Sequence, residues 1–527
     1  MAIKSPLKNL FSLLRSGSIL LAVSSLISRA LGLLRDRLLT HTFGASRLDG
    51  TISELDAYYA AFQLPDLLYQ IIILGTISAC FIPYFSELYT EKKVDAWKLA
   101  NNTMTSIMIV MTLLVIGSIV FSKHILYLLI PGLDPATQEL TLAITRIMLV
   151  SPLFFSISAI TGAISNSLKR FAAFAITPIL YNAAIILAIL VLTPKYGIYG
   201  VSIGVVVGSF LHAMIQTFSA WQAGFRPKFY LDWENGTFRQ MIKSSIPRLL
   251  ALAVARINIL VDTMLASLLV AGSITIFNLA QNIQSLPMGV VGVSIAVASF
   301  PVFSNFINQK KHVELHELIC EKTRKVIYVL LPLTILTILL RTEGIRLLFG
   351  SGRFNWVDTV ITANTLGLFA LSFISQSLLP IITRIFYAYK DTVSPLWTSL
   401  VTIVTNVVLS ILFIFIFNRE VVSLALSFTI ASFVQLILSL YQLRKKYQLK
   451  IFSKHDSAFY AHTITASLCL AIAAQLMKEF SGTFLDPLDS FLKVSTKIAL
   501  TVGVSATIYL VIQTWFGHSL KWLLRKQ

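Results

Sequence analysis

Long apolar segments recur along the whole chain, and they constrain its fold more than any other feature. A helix needs about 20 apolar residues to cross a bilayer. Of the 527 residues, 56% are hydrophobic and 13% charged, whereas soluble domains carry about 25% charged residues. The sequence therefore predicts an all-α polytopic membrane protein with about 14 transmembrane helices, near residues 17–40, 57–85, 99–122, 139–166, 172–193, 198–221, 241–271, 273–305, 324–341, 358–388, 395–417, 420–443, 457–477 and 493–516.

Lysine and arginine are concentrated in alternate loops between these segments. Such an excess of basic residues marks the cytoplasmic side of a membrane protein. The richest loops include Lys169 with Arg170, Arg226 with Lys228, and the stretch 444–454. We therefore expect both termini in the cytoplasm, which agrees with an even number of spans. Topology alone accounts for the net charge of +19, so no nucleic-acid partner is expected.

Two parts of the sequence repeat the same motifs in the same order. Both copies begin on the same side of the membrane, as in a class of transporters that bind substrate between their repeats. We therefore predict two six-helix lobes, related as a parallel repeat, and two further C-terminal helices. The predicted boundaries are an N-lobe at 1–222, an interlobe cytoplasmic linker at 223–240, a C-lobe at 241–443, and helices 13 and 14 with the tail at 444–527. The repeated motifs are Leu64-Pro65 and Phe81-Ile82-Pro83-Tyr84-Phe85-Ser86, then Gly132, matched by Leu286-Pro287 and Phe300-Pro301-Val302-Phe303-Ser304, then Gly352.

The first apolar segment carries charges at membrane depth, within residues 28–36. Each charge there costs at least about 2.5–3.5 kcal/mol. On a helix, Ser28 and Arg35 share one stripe and Arg29 and Asp36 share a neighbouring one, while Gly32 falls between them. The expected result is a cationic face with a side-chain-free notch, which suits an anionic ligand. The alternative is that Arg35 snorkels to the interface and a structural partner neutralises Arg29.

Several short motifs follow one another along the first twelve segments. They are Ser28-Arg29-Ala30-Leu31-Gly32 with Arg35-Asp36, Phe43-Gly44-Ala45, Asp56-Ala57-Tyr58-Tyr59-Ala60-Ala61-Phe62, Gly162-Ala163-Ile164, Arg170-Phe171, Gly289-Val290-Val291-Gly292-Val293, Gly352-Arg353-Phe354, and Phe386-Tyr387-Ala388 with Lys390-Asp391-Thr392. Each motif is weak alone, whereas the ordered set is specific. In this set the chain resembles the MurJ/MviN lipid II flippase family, within the MOP superfamily of exporters.

The resemblance implies a function in peptidoglycan biosynthesis at the bacterial cytoplasmic (inner) membrane. Members of that family move an undecaprenyl-pyrophosphate-linked precursor, lipid II, from the inner to the outer leaflet by alternating access. The family pattern also implies a central cavity lined by Ser28, Arg29, Arg35, Asp36 and Asp56. Because arginine binds phosphate oxygens bidentately and keeps its charge, we expect Arg29 and Arg35 to hold the diphosphate. We expect Asp36 to position an arginine or to open a gate.

Two positions lack the arginine that the family usually has. Tyr69 stands at one of them, in segment 2, and Asn282 stands at the other, in segment 8. We count Asn282 with the substrate site and expect Arg256, in segment 7, to supply a missing charge. The alternative is a structural pair of Arg256 with Asp262, although six residues place the two side chains about 120° apart on the helix. Asn182, in segment 5, is expected to join helices.

Some members of the family carry a sodium site in the second lobe. Asp262 falls at the matching place in segment 7, and Asn406 and Ser410 lie one turn apart in segment 11. All three offer oxygen ligands, which suit a hard cation. We therefore expect Na⁺ as a candidate coupling ion and no other cofactor. A cycle linked to protons or to the membrane voltage is the alternative.

Other functions were weighed against this one. An exporter of another polyprenyl-linked glycan, or another exporter of the MOP superfamily, stays open as an alternative. An antiporter for organic cations would require acidic cavity residues, whereas this cavity is basic. No paired acids, metal-type cysteine spacing or histidine constellation predicts an enzyme. The expected partners are the lipid-linked precursor and membrane lipids, and a monomer is expected.

Overall fold

A computed structural model describes residues 17–45, 52–70, 80–417, 420–452, 456–485 and 490–518. Every regular element in these ranges is a helix, which confirms the all-α prediction. A single turn, Thr193–Tyr196, and a π-helical segment, Met288–Val293, complete the set. The longer helices are α1 Gly17–Phe43, α2 Glu54–Leu68, α3 Ile82–Glu91, α4 Lys93–Leu129, α5 Pro135–Met148, α6 Ser151–Ser167, α7 Phe171–Val191, α8 Ile198–Gln222, α9 Gly236–Ser267, α10 Ser273–Pro287, α11 Ser294–Asn308, α12 His312–Leu339, α13 Arg341–Phe349, α14 Trp356–Leu371, α15 Phe373–Ala388, α16 Val393–Ile416, α17 Val422–Tyr447, α18 Ser457–Leu485 and α19 Phe491–Trp515.

Many of these helices are long and apolar enough to cross a membrane. Within the described ranges nine segments meet this condition, and the number rises to eleven if each of two bent pairs is one span. The pair α12–α13 bends by 77° and the pair α14–α15 by 43°. The three remaining predicted segments are also helical, as α1, as α2 with α3, and as α9. The protein is thus a multi-pass membrane protein, while the count of 14 spans stays a prediction.

The chain divides into two compact units, Met1–Ala271 and Gly272–Gln527. In the first unit, α8 packs along α6 and α7, α1 packs along α7, and α2 packs along α5. The helix α9 also belongs to this unit and packs mainly against α4. In the second unit, α16 packs along α17, α10 along α14, and α18 along α12 and α19. The boundaries of the two six-helix lobes, which were inferred from the sequence repeat, stay a prediction.

Matching turns end α6 in the first unit and α15 in the second. Lys169 and Lys390 both adopt left-handed backbone conformations, with φ of 58° and 60°. After each lysine, the next backbone N–H donates to a carbonyl five residues back, from Arg170 to Ser165 at 2.8 Å and from Asp391 to Phe386 at 2.9 Å. This is the Schellman arrangement that satisfies the last carbonyls of a helix. The same backbone arrangement therefore ends one helix in each unit.

Asp391 then fastens the second of these turns to α16 and α17. Its carboxylate accepts hydrogen bonds from the Ser394 N–H at 2.9 Å, from the Lys446 ammonium at 2.9 Å and from the Tyr447 hydroxyl at 3.1 Å. Burial by itself would raise the pKa of Asp391, but these hydrogen bonds outweigh burial and hold the pKa below its usual value. This aspartate is therefore charged at neutral pH and caps α16.

The segment between α8 and α9 is held against α4 by two buried asparagines. The Asn102 amide donates to the Asp232 carbonyl at 2.6 Å and accepts from the Asp232 N–H at 2.9 Å. Asn101 likewise accepts from the Lys228 N–H at 2.7 Å and donates to the Arg226 carbonyl at 3.3 Å. The side-chain amides thus satisfy backbone N–H and C=O groups of the linker, as the backbone of a neighbouring strand does in a sheet. The predicted linker therefore has a fixed course along α4.

We predict that Asn102→Ala detaches this linker without unfolding α4. Two hydrogen bonds contribute about 1–3 kcal/mol, so trypsin cleavage after Lys228 should become about tenfold faster. The measurement is limited proteolysis of the purified protein, followed by mass spectrometry. Thr103→Ala is the matched control, because the buried Thr103 hydroxyl donates only to Leu99 of the same helix, at 2.8 Å. Equal cleavage of the Asn102 variant and the wild type would contradict the prediction.

Candidate functional site

Arg35 on α1 is fixed by its sequence neighbour and by α7. Its Nε and Nη2 donate to Asp36 Oδ1 at 3.0 and 2.8 Å, and its Nη1 donates to Asn182 Oδ1 at 3.2 Å. The Asp36 side chain is 3% exposed and the Arg35 side chain 21%. These three hydrogen bonds use three of the five N–H donors of a guanidinium, so two donors are left for another group. The contacts with Asn182 on α7 place Arg35 against the helix bundle, which argues against snorkelling.

Asn182 connects the arginine to the rest of the notch. Its Nδ2 donates to the Ser28 hydroxyl at 3.3 Å, to the Ser28 carbonyl at 3.4 Å, and to the Pro178 carbonyl at 3.1 Å. A Cβ on Gly32 would lie 4.0 Å from Asn182 Oδ1, so the asparagine faces the glycine position. The predicted role of Asn182 in joining helices is confirmed by these contacts. The sequence did not indicate that the same amide would also orient Arg35.

Arg29 and Asp56 are the other two charged residues that the sequence predicts for the central cavity. Arg29 is half-buried, and no hydrogen bond or ion pair to another described residue is found for it. The alternative in which a structural partner neutralises Arg29 therefore has no support in the described ranges. Asp56 lies on α2, is 1% exposed, and has an interaction partner. A half-buried guanidinium without a counter-charge is a candidate for binding an anion.

Arg256 on α9, which the sequence predicted as a replacement for a missing arginine of the substrate site, is bound by α2. Its Nη2 forms an ion pair with Asp66 and donates to Gln63 Oε1 at 3.4 Å. The carboxylate that pairs with Arg256 is therefore Asp66 rather than Asp262. Asp262 is 1% exposed and accepts from Asn258 at 3.4 Å.

Asp66 and Gln63 are the site residues that sequence reasoning missed. Asp66 follows the proline of α2 and is an acid within a predicted apolar segment, which was the available indication of a partner. Its Oδ2 also accepts from Gln70 at 2.9 Å. The partner cation lies 190 residues away in sequence, so only the tertiary structure identifies it.

A cavity of about 340 Å³ opens in the first unit beside Tyr69. None of the described residues that line this cavity is an arginine, lysine, aspartate or glutamate. Tyr69 lies beside Phe155, with ring centroids 5.1 Å apart and ring planes inclined by 50°, so the tyrosine at the position of an expected arginine gives the cavity an aromatic wall. The other lining residues are Ile82, Ser158, Ala159, Gly162, Ala163, Asn166, Phe174, Thr177, Pro178, His212 and Gln216.

The remaining predicted site residues fall in the second unit. Asn282 lies on α10 and is half-buried, and its carbonyl accepts from the Ser285 hydroxyl at 2.7 Å. Asn406 and Ser410 lie on α16 and are 1% and 0% exposed. The Ser410 hydroxyl has no hydrogen-bond partner in the described ranges, which leaves an oxygen for a ligand. Asp262 belongs to the first unit, so the three-residue sodium set stays a prediction.

Comparisons with known proteins identify relatives over almost the whole chain. A family model described as "Lipid II flippase MurJ" matches residues 41–495. The protein named "Probable lipid II flippase MurJ" of Buchnera aphidicola subsp. Schizaphis graminum is 25% identical over 500 residues, which cover 94% of this chain and 95% of that protein. The protein of the same name from Rickettsia prowazekii is 26% identical over 517 residues, covering 96% and 97%.

Solved structures give the same result at the level of the fold. A structure of lipid II flippase MurJ in an inward closed conformation matches with a TM-score of 0.78 and 26% identity, covering 96% of this chain and all of that one. An inward-facing MATE family transporter of the MOP superfamily matches with a TM-score of 0.66, covering 79% of this chain and 94% of that one. At 12% identity the second match supports a shared fold alone.

We predict that Asn182→Leu loosens the contact between α1 and α7. Replacing the amide leaves Arg35 and Ser28 without a partner and costs about 1–3 kcal/mol. The measurement is the thermal unfolding midpoint of the purified protein in detergent, which should fall. Leu187→Ala on the same helix is the control, because Leu187 is 60% exposed, and it should leave the midpoint near that of the wild type. An unchanged midpoint for the Asn182 variant would show that the bridge contributes nothing.

Proposed function

The chain belongs to the MurJ family of lipid II flippases, and from this premise we propose that Arg29 and Arg35 hold the diphosphate of the substrate. The protein is a transporter of lipid II, the lipid-linked precursor of peptidoglycan. Its substrate carries a compact polyanion that must cross an apolar layer. Such a group requires a fixed cationic partner inside the protein, because burying an unpaired charge is very unfavourable.

The observation that carries this proposal is the fixed orientation of Arg35. Asp36 and Asn182 together hold three of its N–H groups, and its side chain is still 21% exposed. The two remaining N–H groups, one on each terminal nitrogen, are the donors that this proposal assigns to phosphate oxygens. Arg29 adds a second cation on the neighbouring stripe of α1. Arginine is suited to this role, because its planar guanidinium matches the geometry of phosphate oxygens.

The other proposed site residues position these arginines or adjust the charge around them. In this proposal Asp36 orients Arg35 and partly offsets its positive charge. The weaker attraction then allows the diphosphate to be released. Ser28 contributes a hydroxyl beside the notch, and Asp56 contributes a buried carboxylate on α2. A site that binds too strongly would trap its substrate, so partial compensation of the arginines favours turnover.

The finer aspects of location and assembly are part of the same proposal. We propose that both termini lie in the cytoplasm, since the basic loops are consistent with that orientation. The described ranges begin at residue 17 and end at residue 518, so the termini themselves lie outside them. We also propose a monomer that acts on its lipid substrate without catalysing a covalent step and without a nucleic-acid partner.

We predict that Arg35→Ala abolishes transport while leaving the protein in the membrane. Losing a charged contact to a buried diphosphate costs about 2–5 kcal/mol, or about 30-fold or more in rate. The measurement is rescue of a bacterium depleted of its own lipid II flippase. The wild type should restore growth, Arg35→Lys should restore it weakly because lysine lacks the planar fork, and Leu34→Ala is the control on the same helix.

The levels of all these variants are compared by immunoblot of the membrane fraction. Full rescue by Arg35→Ala at normal protein level would overturn the proposed role of this arginine. Failure of the wild type to rescue, with the protein present, would favour a different polyprenyl-diphosphate-linked glycan as its substrate.

We propose sodium as the coupling ion, with Asp262 as its charged ligand. Asp262 is buried, and carboxylate and hydroxyl oxygens are ligands that hard cations prefer. Replacing external Na⁺ by choline should lower lipid II flipping in proteoliposomes of the purified protein severalfold. Asp262→Asn should remove the difference between the two buffers, and Ser423→Ala is a control at another buried oxygen. Equal flipping in both buffers by the wild type would favour a proton- or voltage-linked cycle.

A further inference from the structure

The ion pair between Asp66 and Arg256 joins two helices that have few other contacts. Asp66 lies on α2 and Arg256 on α9, and both helices belong to the first unit. The Arg256 side chain is 8% exposed and the Asp66 side chain 34%. The arginine is thus almost entirely enclosed, while the carboxylate that neutralises it is accessible from outside the pair. A second anion can therefore approach from the side of Asp66.

The guanidinium of Arg256 is incompletely satisfied by its present partners. Within the described part of the chain, the hydrogen bonds of its guanidinium are donated by Nη2, to Asp66 and to Gln63. Its Nε is buried and has no hydrogen-bond partner in the described ranges. A buried donor without an acceptor costs about 1–3 kcal/mol, more when it is charged. A ligand with several oxygens would satisfy donors that one carboxylate oxygen leaves unused.

Asp66 also accepts a hydrogen bond from a second donor, which would still stabilise its carboxylate after the ion pair with Arg256 opens. Gln70, one turn further along, donates to the same Oδ2 at 2.9 Å. If Arg256 were withdrawn, the carboxylate would keep this hydrogen bond and its access to water. Opening the ion pair therefore costs less free energy at Asp66 than at Arg256, which needs another anion beside it.

We propose that Asp66 is a displaceable internal anion: it neutralises Arg256 when the substrate is absent and yields it to the substrate diphosphate. This inference rests on the proposed function. Carboxylate and phosphate oxygens compete for the same planar fork, and only one of them can occupy it fully. Displacement of Asp66 frees α2 from α9, so binding of the anion loosens one contact between these helices.

Because Asp66 and the diphosphate compete for Arg256, loss of Asp66 and loss of Arg256 should change the affinity for a diphosphate in opposite directions. Asp66 lowers the apparent affinity for a diphosphate, because the arginine is available only in the fraction of molecules whose ion pair is open. Removing the acid should strengthen diphosphate binding, while removing the arginine should weaken it. An ion pair with a purely structural role would give the same sign for both changes, since either loss disturbs the same helix contact.

The test measures binding of undecaprenyl diphosphate to the full chain in lipid nanodiscs. Asp66→Asn should bind about five- to tenfold more tightly than the wild type, and Arg256→Ala about tenfold more weakly. The double variant should bind like Arg256→Ala alone. Asp66→Glu keeps the negative charge and should restore affinity to near the wild-type value. Asp95→Asn is the matched control, because Asp95 forms an exposed pair with Lys98 at 3.4 Å on α4.

The outcomes separate this inference from the function on which it rests. Weaker or unchanged binding by Asp66→Asn, in a sample that unfolds at the wild-type temperature, overturns the inference and leaves the proposed function intact. Undiminished binding by Arg35→Ala overturns the proposed role of Arg35 but leaves the opposite effects at Asp66 and Arg256 in place. Absence of binding by the wild type overturns both.

Discussion

A cation buried in an apolar layer is stabilised by an anion beside it, and three clusters of the described structure follow this constraint. On α1 the anion for Arg35 is its own neighbour, Asp36. On α9 the anion for Arg256 comes from another helix. In the second unit Glu343 on α13, 3% exposed, meets Lys478 of α18 at 3.1 Å and Lys497 of α19 at 3.9 Å. Each pairing both stabilises a charge and fixes how helices pack.

The same constraint applies to the lipid head in the proposed function. A diphosphate that enters the first unit would meet Arg35 already oriented by Asp36 and Asn182. In this proposal Asp36 and Asp66 offset the charges of Arg35 and Arg256 while the substrate is absent. Because a carboxylate and a diphosphate compete for the same guanidinium, loading of the site would be an exchange of partners.

The polar contacts made by the segments that connect the helices have a different role. Asn101 and Asn102 hold the linker between α8 and α9 along α4, and Asp391 fastens the start of α16 to the end of α17. These contacts involve backbone groups and a charged loop residue that would otherwise depend on water. They set the course of the chain between spans, so that the buried arginines are presented by helices with fixed neighbours.

The sequence by itself determined the helical membrane fold, the charged face of α1 and the family to which the chain belongs. Those features depend on composition, on the 3.6-residue period and on ordered motifs, all of which are local. Even the role of Asn182 in joining helices followed from a lone amide in an apolar segment. The partner of Arg256 did not follow from the sequence, because the acid lies on another helix and both Asp262 and Asp66 were compatible with the sequence. Only the tertiary structure decided which carboxylate neutralises which arginine, since ion pairing depends on distances that sequence separation does not set.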